Sequence, residues 1–260
     1  MKQVASLQYG VIFKKVFSDV EIFTGFVRDI LGINIEIDKV ETEKEFKPAI
    51  GHVNVKFDCY AEDTKNNIVV EIQHKHHDDH YDRFLHYHCV TLLDQAKNAK
   101  QYQPKKTVYT IVILTDGDHD LKYDVATIEF DPKRLNGTPL KRIKHRIIYL
   151  CPQYINEETP LLYREWLEII NASLTNQADE THYHTYEIQK VLRFIEQDGI
   201  TPEERRIMIE ESYIEEAVQK GKLEGKLGSQ LEIAKTMLAK GFDIETIIEL
   251  TGLSKDMIVQ

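Results

Sequence analysis

Residues 53–60, VNVKFDCY, and 68–73, IVVEIQ, alternate side chains with a period of two on either side of the polar stretch EDTKNN. That period is the signature of extended chain, and two such runs around a turn predict a β-hairpin. The first run turns Asn54, Lys56, Asp58 and Tyr60 to one face; the second turns Val69, Glu71 and Gln73 to one face. Antiparallel pairing can then bring Asp58 alongside Glu71. Two carboxylates about 4 Å apart repel by about 4 kcal/mol at an effective dielectric of about 20. Such a pair calls for a proton or a cation, and oxygen donors suit Mg²⁺ or Mn²⁺. Such an ion would polarise a phosphoryl oxygen, and Gln73 on the same face could orient a water. The plainer reading is two acids on a solvated strand face.

The segments around this hairpin complete a mixed α/β pattern. Residues 11–31 carry apolar side chains at helical spacing up to Gly32, and 35–46 reads as extended. After the hairpin, Asp78 and Asp79 favour a helix start, with Tyr81, Phe84, Leu85, His88 and Leu92 along one stripe. TVYTIVILT (107–115) has the character of a buried strand, and VATIEF (125–130) and HRIIYL (145–150) predict two more. From Pro160 onward the pattern is helical. Glycines 221, 225 and 228 predict a loosened helix or a hinge, and the end of the chain reads as helix, Gly241, helix, Gly252, short helix. These shifts divide the chain into 1–155, 156–220 and 221–260.

Composition narrows the class of protein. No apolar run reaches membrane-spanning length, and the opening MKQVASLQYG has neither part of a secretory signal. Three scattered cysteines, Cys59, Cys89 and Cys151, suit a reducing compartment, so a cytoplasmic location is expected. The net charge of −10 is unfavourable for a nucleic-acid partner unless charge is patchy. It is patchy: 97–106 and 133–146 are basic, while 203–216 is acidic. Solvated surface is the ordinary explanation of such basic runs.

The order helix, strand, acid-bearing hairpin, helix, strand resembles the restriction-endonuclease-like, PD-(D/E)XK αβββαβ core. A closer resemblance is to the bacterial PD-(D/E)XK family transposases, or Rpn-type recombination-promoting nucleases. It rests on Phe13-Lys14-Lys15-Val16-Phe17 as the FK-x-x-F helix, on Asp58, on Val70-Glu71-Ile72-Gln73, on Arg83 and Tyr87, and on the tail LEIAKTMLAKGFDIETIIELTGLSKDMI. The resemblance implies a Mg²⁺- or Mn²⁺-dependent DNA endonuclease. In it Asp58, Glu71 and the Ile72 carbonyl would hold the metal, and Gln73 would stand where related enzymes have lysine. Lys75 could supply that missing charge, and Arg83 and Tyr87, four apart on a helix, could reach a phosphate. The chain departs from the family pattern at Gly10, where an acid is usual, and at YLCPQY (149–154). Gly10 and Gln73 keep open a second function, a weakened relative that binds DNA or protein without cutting.

Other constellations compete. Six of the eleven histidines fall in 73–88, and His76 and His80 with His77 or Asp79 have zinc-ligand spacing, although no HExxH or cysteine pair reinforces them. DGDHDLKYDVAT (116–127) starts like a calcium loop but has Leu121 and Thr127 where glycine and glutamate are required. The tail, 229–260, has the size of a helix-turn-helix with a short last helix, or of an element for self-association. Trp166 reads as core.

Overall fold

Asp19 divides the first apolar run, because its carboxylate accepts the amides of Glu21 and Ile22, each at 3.1 Å, and starts a new helix. The computed structural model describes residues 1–46, 55–74, 80–95 and 103–259. In it the one helix expected over 11–31 is two, α1 (Gly10–Phe17) and α2 (Val20–Leu31), after a short strand β1 (Lys2–Gln3). Gly32, at φ +67°, closes α2 in the left-handed conformation that a Cβ would oppose.

The chain then builds a six-stranded sheet. Its strands are β2 (Glu41–Phe46), β3 (Val55–Glu62), β4 (Asn66–Gln73), β5 (Thr107–Leu114), β6 (Val125–Glu129) and β7 (Arg146–Leu150). Their order is β2-β3-β4-β5-β7-β6. β2, β3 and β4 are joined antiparallel, whereas β4, β5 and β7 run parallel. The β4–β5 crossover contains α3 (His80–Leu93), as parallel strands require. This is the expected αβββαβ order with β6 and β7 added at one edge.

Both faces of the sheet are covered. On one, Phe84 of α3 packs with Val112, Leu114, Ile147 and Tyr149, and Val90 packs with Val55, Phe57, Tyr60 and Val69. The alternate residues Ile111, Ile113, Ile148 and Leu150 are buried too, which explains why β5 reads as a largely apolar run rather than an alternating one. The aromatic residues Phe13, Phe17, Phe26 and Trp166 touch in series, the first pair stacked and the next two edge to face, and join α1 and α2 to α4 (Leu161–Leu174). Trp166 is fully buried, as expected, and its indole N–H donates to Asp29 at 2.9 Å.

After α4 come β8 (Gln177–Ala178), which pairs with β1, then α5 (Tyr186–Ile195) and α6 (Pro202–Ala239). Residues 1–204 make one compact unit and 205–260 another, so 156–204, read from the sequence as part of a separate extension, lies within the first. Glycines 221, 225 and 228 sit inside α6 without breaking it. In the second unit α7 (Ile244–Thr251) and α8 (Lys255–Val259) bury Ile247, Leu253 and Ile258 around Ala234. Asp243 caps α7 by accepting the Thr246 amide at 2.9 Å.

Candidate metal-binding carboxylate site

The antiparallel ladder between β3 and β4 runs from Glu62–Asn67 to Cys59–Val70 and stops there. One step further, where Asp58 and Glu71 would pair, side chains replace the ladder. The Asp58 amide donates to Glu71 Oε1 at 3.0 Å, and the Ile72 amide donates to Asp58 Oδ2 at 3.1 Å. Each carboxylate thus spends one oxygen on the neighbouring strand's backbone. The reciprocal bonds satisfy two amides and tie each acid to the strand of the other.

The strand is irregular at this point. Phe57 and Tyr60 lie in the same apolar cluster, their rings nearly parallel with centroids 6.3 Å apart. Strict alternation would put them on opposite faces, as the sequence pattern predicted. The pairs Thr42–Cys59 and Lys44–Phe57 bracket Glu43 opposite Asp58, and Glu43 has φ +58°. A left-handed non-glycine residue inside a strand is uncommon. Here it coincides with the break in alternation at 58–59.

Burial pushes the Asp58 carboxyl above its ordinary value. Glu71 is only 3% exposed, and burial, followed by the charge of Asp58, pushes its carboxyl well above the ordinary range. Positive charge from Lys14 and Arg83 acts in the opposite direction on both acids. Lys14 extends from α1 and pairs with Glu43 Oε1 at 2.8 Å, while Lys56 pairs with Oε2 at 2.9 Å. The Lys14 bond, then the Lys56 bond, hold the Glu43 carboxyl down at about 2.

Sequence reasoning missed Lys14 and Glu43 as neighbours of the site. Lys14 lay within a motif already singled out, but its reach to the hairpin needed tertiary structure. Arg83 is exposed on α3, and its Nε and Nη2 donate to the Tyr87 hydroxyl at 3.2 and 3.1 Å. The Tyr87 ring makes a T-shaped contact with Phe57 of β3. Gln73 is 8% exposed, and its carbonyl accepts the Thr115 amide at 3.0 Å. Lys75 lies outside the described residues, as do His76, His77 and Asp79 of the zinc-spaced cluster. His80 is buried 3.9 Å from Asp118, whose carboxylate accepts the Tyr81 hydroxyl at 2.7 Å. Asp118 also accepts the amides of Asp120 and Leu121, so this acidic loop caps itself.

Among the described residues no group of three or more His, Cys, Asp or Glu side chains is disposed to hold a metal. The donor set here is the two carboxylates of Asp58 and Glu71. That suits a hard divalent ion, which binds through one or two carboxylates and keeps several waters. It does not suit zinc, which is normally bound by nitrogen and sulfur ligands.

A mixed sheet in αβββαβ order, with paired acids where its second and third core strands separate, is the architecture of PD-(D/E)XK-type nucleases. Residues 8–217 match the PD-(D/E)XK nuclease family transposase pattern, and the chain belongs to that family. Residues 228–260 match the C-terminal HTH domain of the Rpn/YhgA-like nuclease family, a domain type that points to DNA binding. No curated protein gives a significant match. No helix among the described residues is long and apolar enough to cross a membrane.

Proposed function

We propose that the chain is a divalent-metal-dependent DNA endonuclease that acts in the cytoplasm on mobile or recombining DNA. The observation that carries this reading is the reciprocal bonding of Asp58 and Glu71 across the parted strands. Glu71 is buried and Asp58 partly so, and the charge of Asp58 raises the free energy of ionised Glu71, so the pair is set to receive a cation. Asp58, Glu71 and the Ile72 carbonyl would hold Mg²⁺ or Mn²⁺. Bound there, such an ion supplies Lewis acidity at a phosphoryl oxygen and charge for the attacking water.

The chain's own residues do the remaining work. Gln73, on the same strand face as Glu71, orients the water through its amide. Lys14 supplies positive charge beside the acids, the contribution that Gln73 cannot make. Arg83 and Tyr87 hold a phosphate of the substrate at the exposed side of α3. Hydrolysis then forms one P–O bond to the water oxygen and breaks one P–O ester bond. The helix-turn-helix tail adds a second DNA contact.

A second reading, a relative that binds DNA without cutting it, is favoured by Gln73 in the lysine position. Nicking of supercoiled plasmid with Mg²⁺ or Mn²⁺ separates the two. Cleavage by the wild type that vanishes in Asp58→Ala supports the enzyme. Equal cleavage by both proteins excludes this site, and metal-loaded binding without cleavage supports the second reading.

A further inference from the structure

The segment between β6 and β7 is a built arm. Its tip is a tight turn in which the Arg134 amide donates to the Thr138 carbonyl at 2.9 Å and the Gly137 amide to the Arg134 carbonyl at 2.8 Å. Gly137 supplies the φ of +83° that this turn needs. Lower down, a bridge between Lys133 and Pro139 and a 2.9 Å bond from the Leu140 amide to the Pro132 carbonyl join the outgoing and returning limbs. At the root the Asp131 carboxylate accepts the amides of Lys141, Arg142 and Ile143 at 2.7, 2.6 and 2.9 Å. Those bonds also hold Lys141 at φ +56°.

The arm is strongly cationic in an acidic protein. Residues 129–146 carry Lys133, Arg134, Lys141, Arg142, Lys144 and Arg146 against two acids, Glu129 and Asp131. Glu129 is paired with Lys133 at 3.1 Å, and Asp131 is engaged by its three amides. Residues 132–144 are exposed throughout, including Leu135 at the tip. A cleft of about 380 Å³ at the root is lined by Lys141, Lys144 and Arg146 together with Glu129 and Asp131, and Arg146 is itself held by the Leu31 carbonyl at 2.7 Å. The limbs are joined by one bridge and a few turn bonds rather than a strand ladder, so the match to DNA is one of charge: closely spaced cations suit a duplex with one phosphate charge per about 1.7 Å.

We infer that the arm 131–146 is an anchoring element for duplex DNA, gripping the phosphate backbone away from the carboxylates. In register, Arg146 pairs with Tyr109, while Glu71 pairs with Val112. The arm therefore leaves the sheet about 10 Å along the strand direction from the acids, toward the other end of β5. Its part is positioning, and it rests on the nuclease reading only for the identity of the polyanion.

The test is fluorescence anisotropy of a labelled DNA duplex with the full chain in EDTA, where nothing is cut. Replacing Lys141, Arg142 and Lys144 together by Glu is expected to weaken binding at least tenfold at low salt. The slope of log K against log salt should fall by about 2 to 3, as expected for three lost phosphate contacts. Lys133→Gln with Arg134→Gln, on the other limb, should act in the same direction by about threefold. Unchanged affinity and slope in both variants overturn the proposal, as does a wild type that does not bind duplex DNA. Retained DNA affinity with lost binding to poly-glutamate also overturns it, by assigning the arm to an acidic protein. Because no metal is present, the result is independent of whether Asp58→Ala abolishes cleavage.

Discussion

The Asp58 amide donates to Glu71 Oε1 at 3.0 Å, so the acid of one strand is the hydrogen-bond acceptor for the backbone of the next. Removing charge and removing shape should therefore have different effects at these positions. Asp58→Asn and Glu71→Gln keep an oxygen acceptor and relieve the repulsion, so both should fold and melt at or above the wild-type temperature without metal. Both should lose metal-dependent nicking. Glu71→Ala leaves the Asp58 amide without its partner and should cost about 1–3 kcal/mol in denaturant titration.

The same pair sets a pH dependence. Both acids have folded-state values above their ordinary 3.8 and 4.5. Their contribution is fully present below those unfolded values and is lost as pH rises through the folded ones. The metal-free protein should therefore lose melting temperature from about pH 4 upward, with Glu71 extending the decline furthest. Glu71→Gln should flatten the curve. Mg²⁺ at a hundredfold excess over Kd should restore about 2.7 kcal/mol above neutral pH. A melting temperature indifferent to both pH and metal would show that the acids do not form a coupled cation site.

Lys14 is 2.8 Å from Glu43 and lowers the pKa of both central acids by its charge. Lys14→Met should reduce cleavage by about 10²-fold, comparable to losing one electrostatic stabiliser of a transition state. Lys14→Arg should recover part of that loss. The metal-free melting curve of Lys14→Met should decline more steeply with pH, a change that would be absent if Lys14 were merely surface.

Arg83 and Tyr87 form a unit, so their substitutions should not be additive. Arg83→Ala should weaken DNA binding about five- to tenfold, and Tyr87→Phe less, because the ring still packs on Phe57. The double variant should resemble Arg83→Ala alone. Independent, fully additive losses in anisotropy titrations would mean that the 3.1–3.2 Å contacts between them do not matter to binding.

What the sequence made legible was whatever repeats locally. The hairpin, the apolar β5 and the helical stripe of α3 are each local patterns, and their limits fall within a few residues of expectation. The division of the first helix at Asp19 was also readable, since an acid followed by Glu21 and Ile22 is a helix-start signal; the apolar stripe across it masked that signal. Tyr60 was assigned to the wrong face because alternation assumes a regular strand, and nothing local marks the break at 58–59. Lys14 and Glu43 were invisible for a different reason. Their closeness to Asp58 depends on how α1 and β2 pack against β3, which no single segment encodes.

The left-handed turn of Glu43 gives evolution and the protein engineer an awkward choice. A backbone state of this kind in a residue with a side chain carries a local cost of about 1–2 kcal/mol. Glycine would remove that cost and with it the anchor on which Lys14 and Lys56 converge. The more comfortable chain would thus be the one whose two lysines had lost their tether, with the tension at one peptide exchanged for slack in the charges around Asp58 and Glu71.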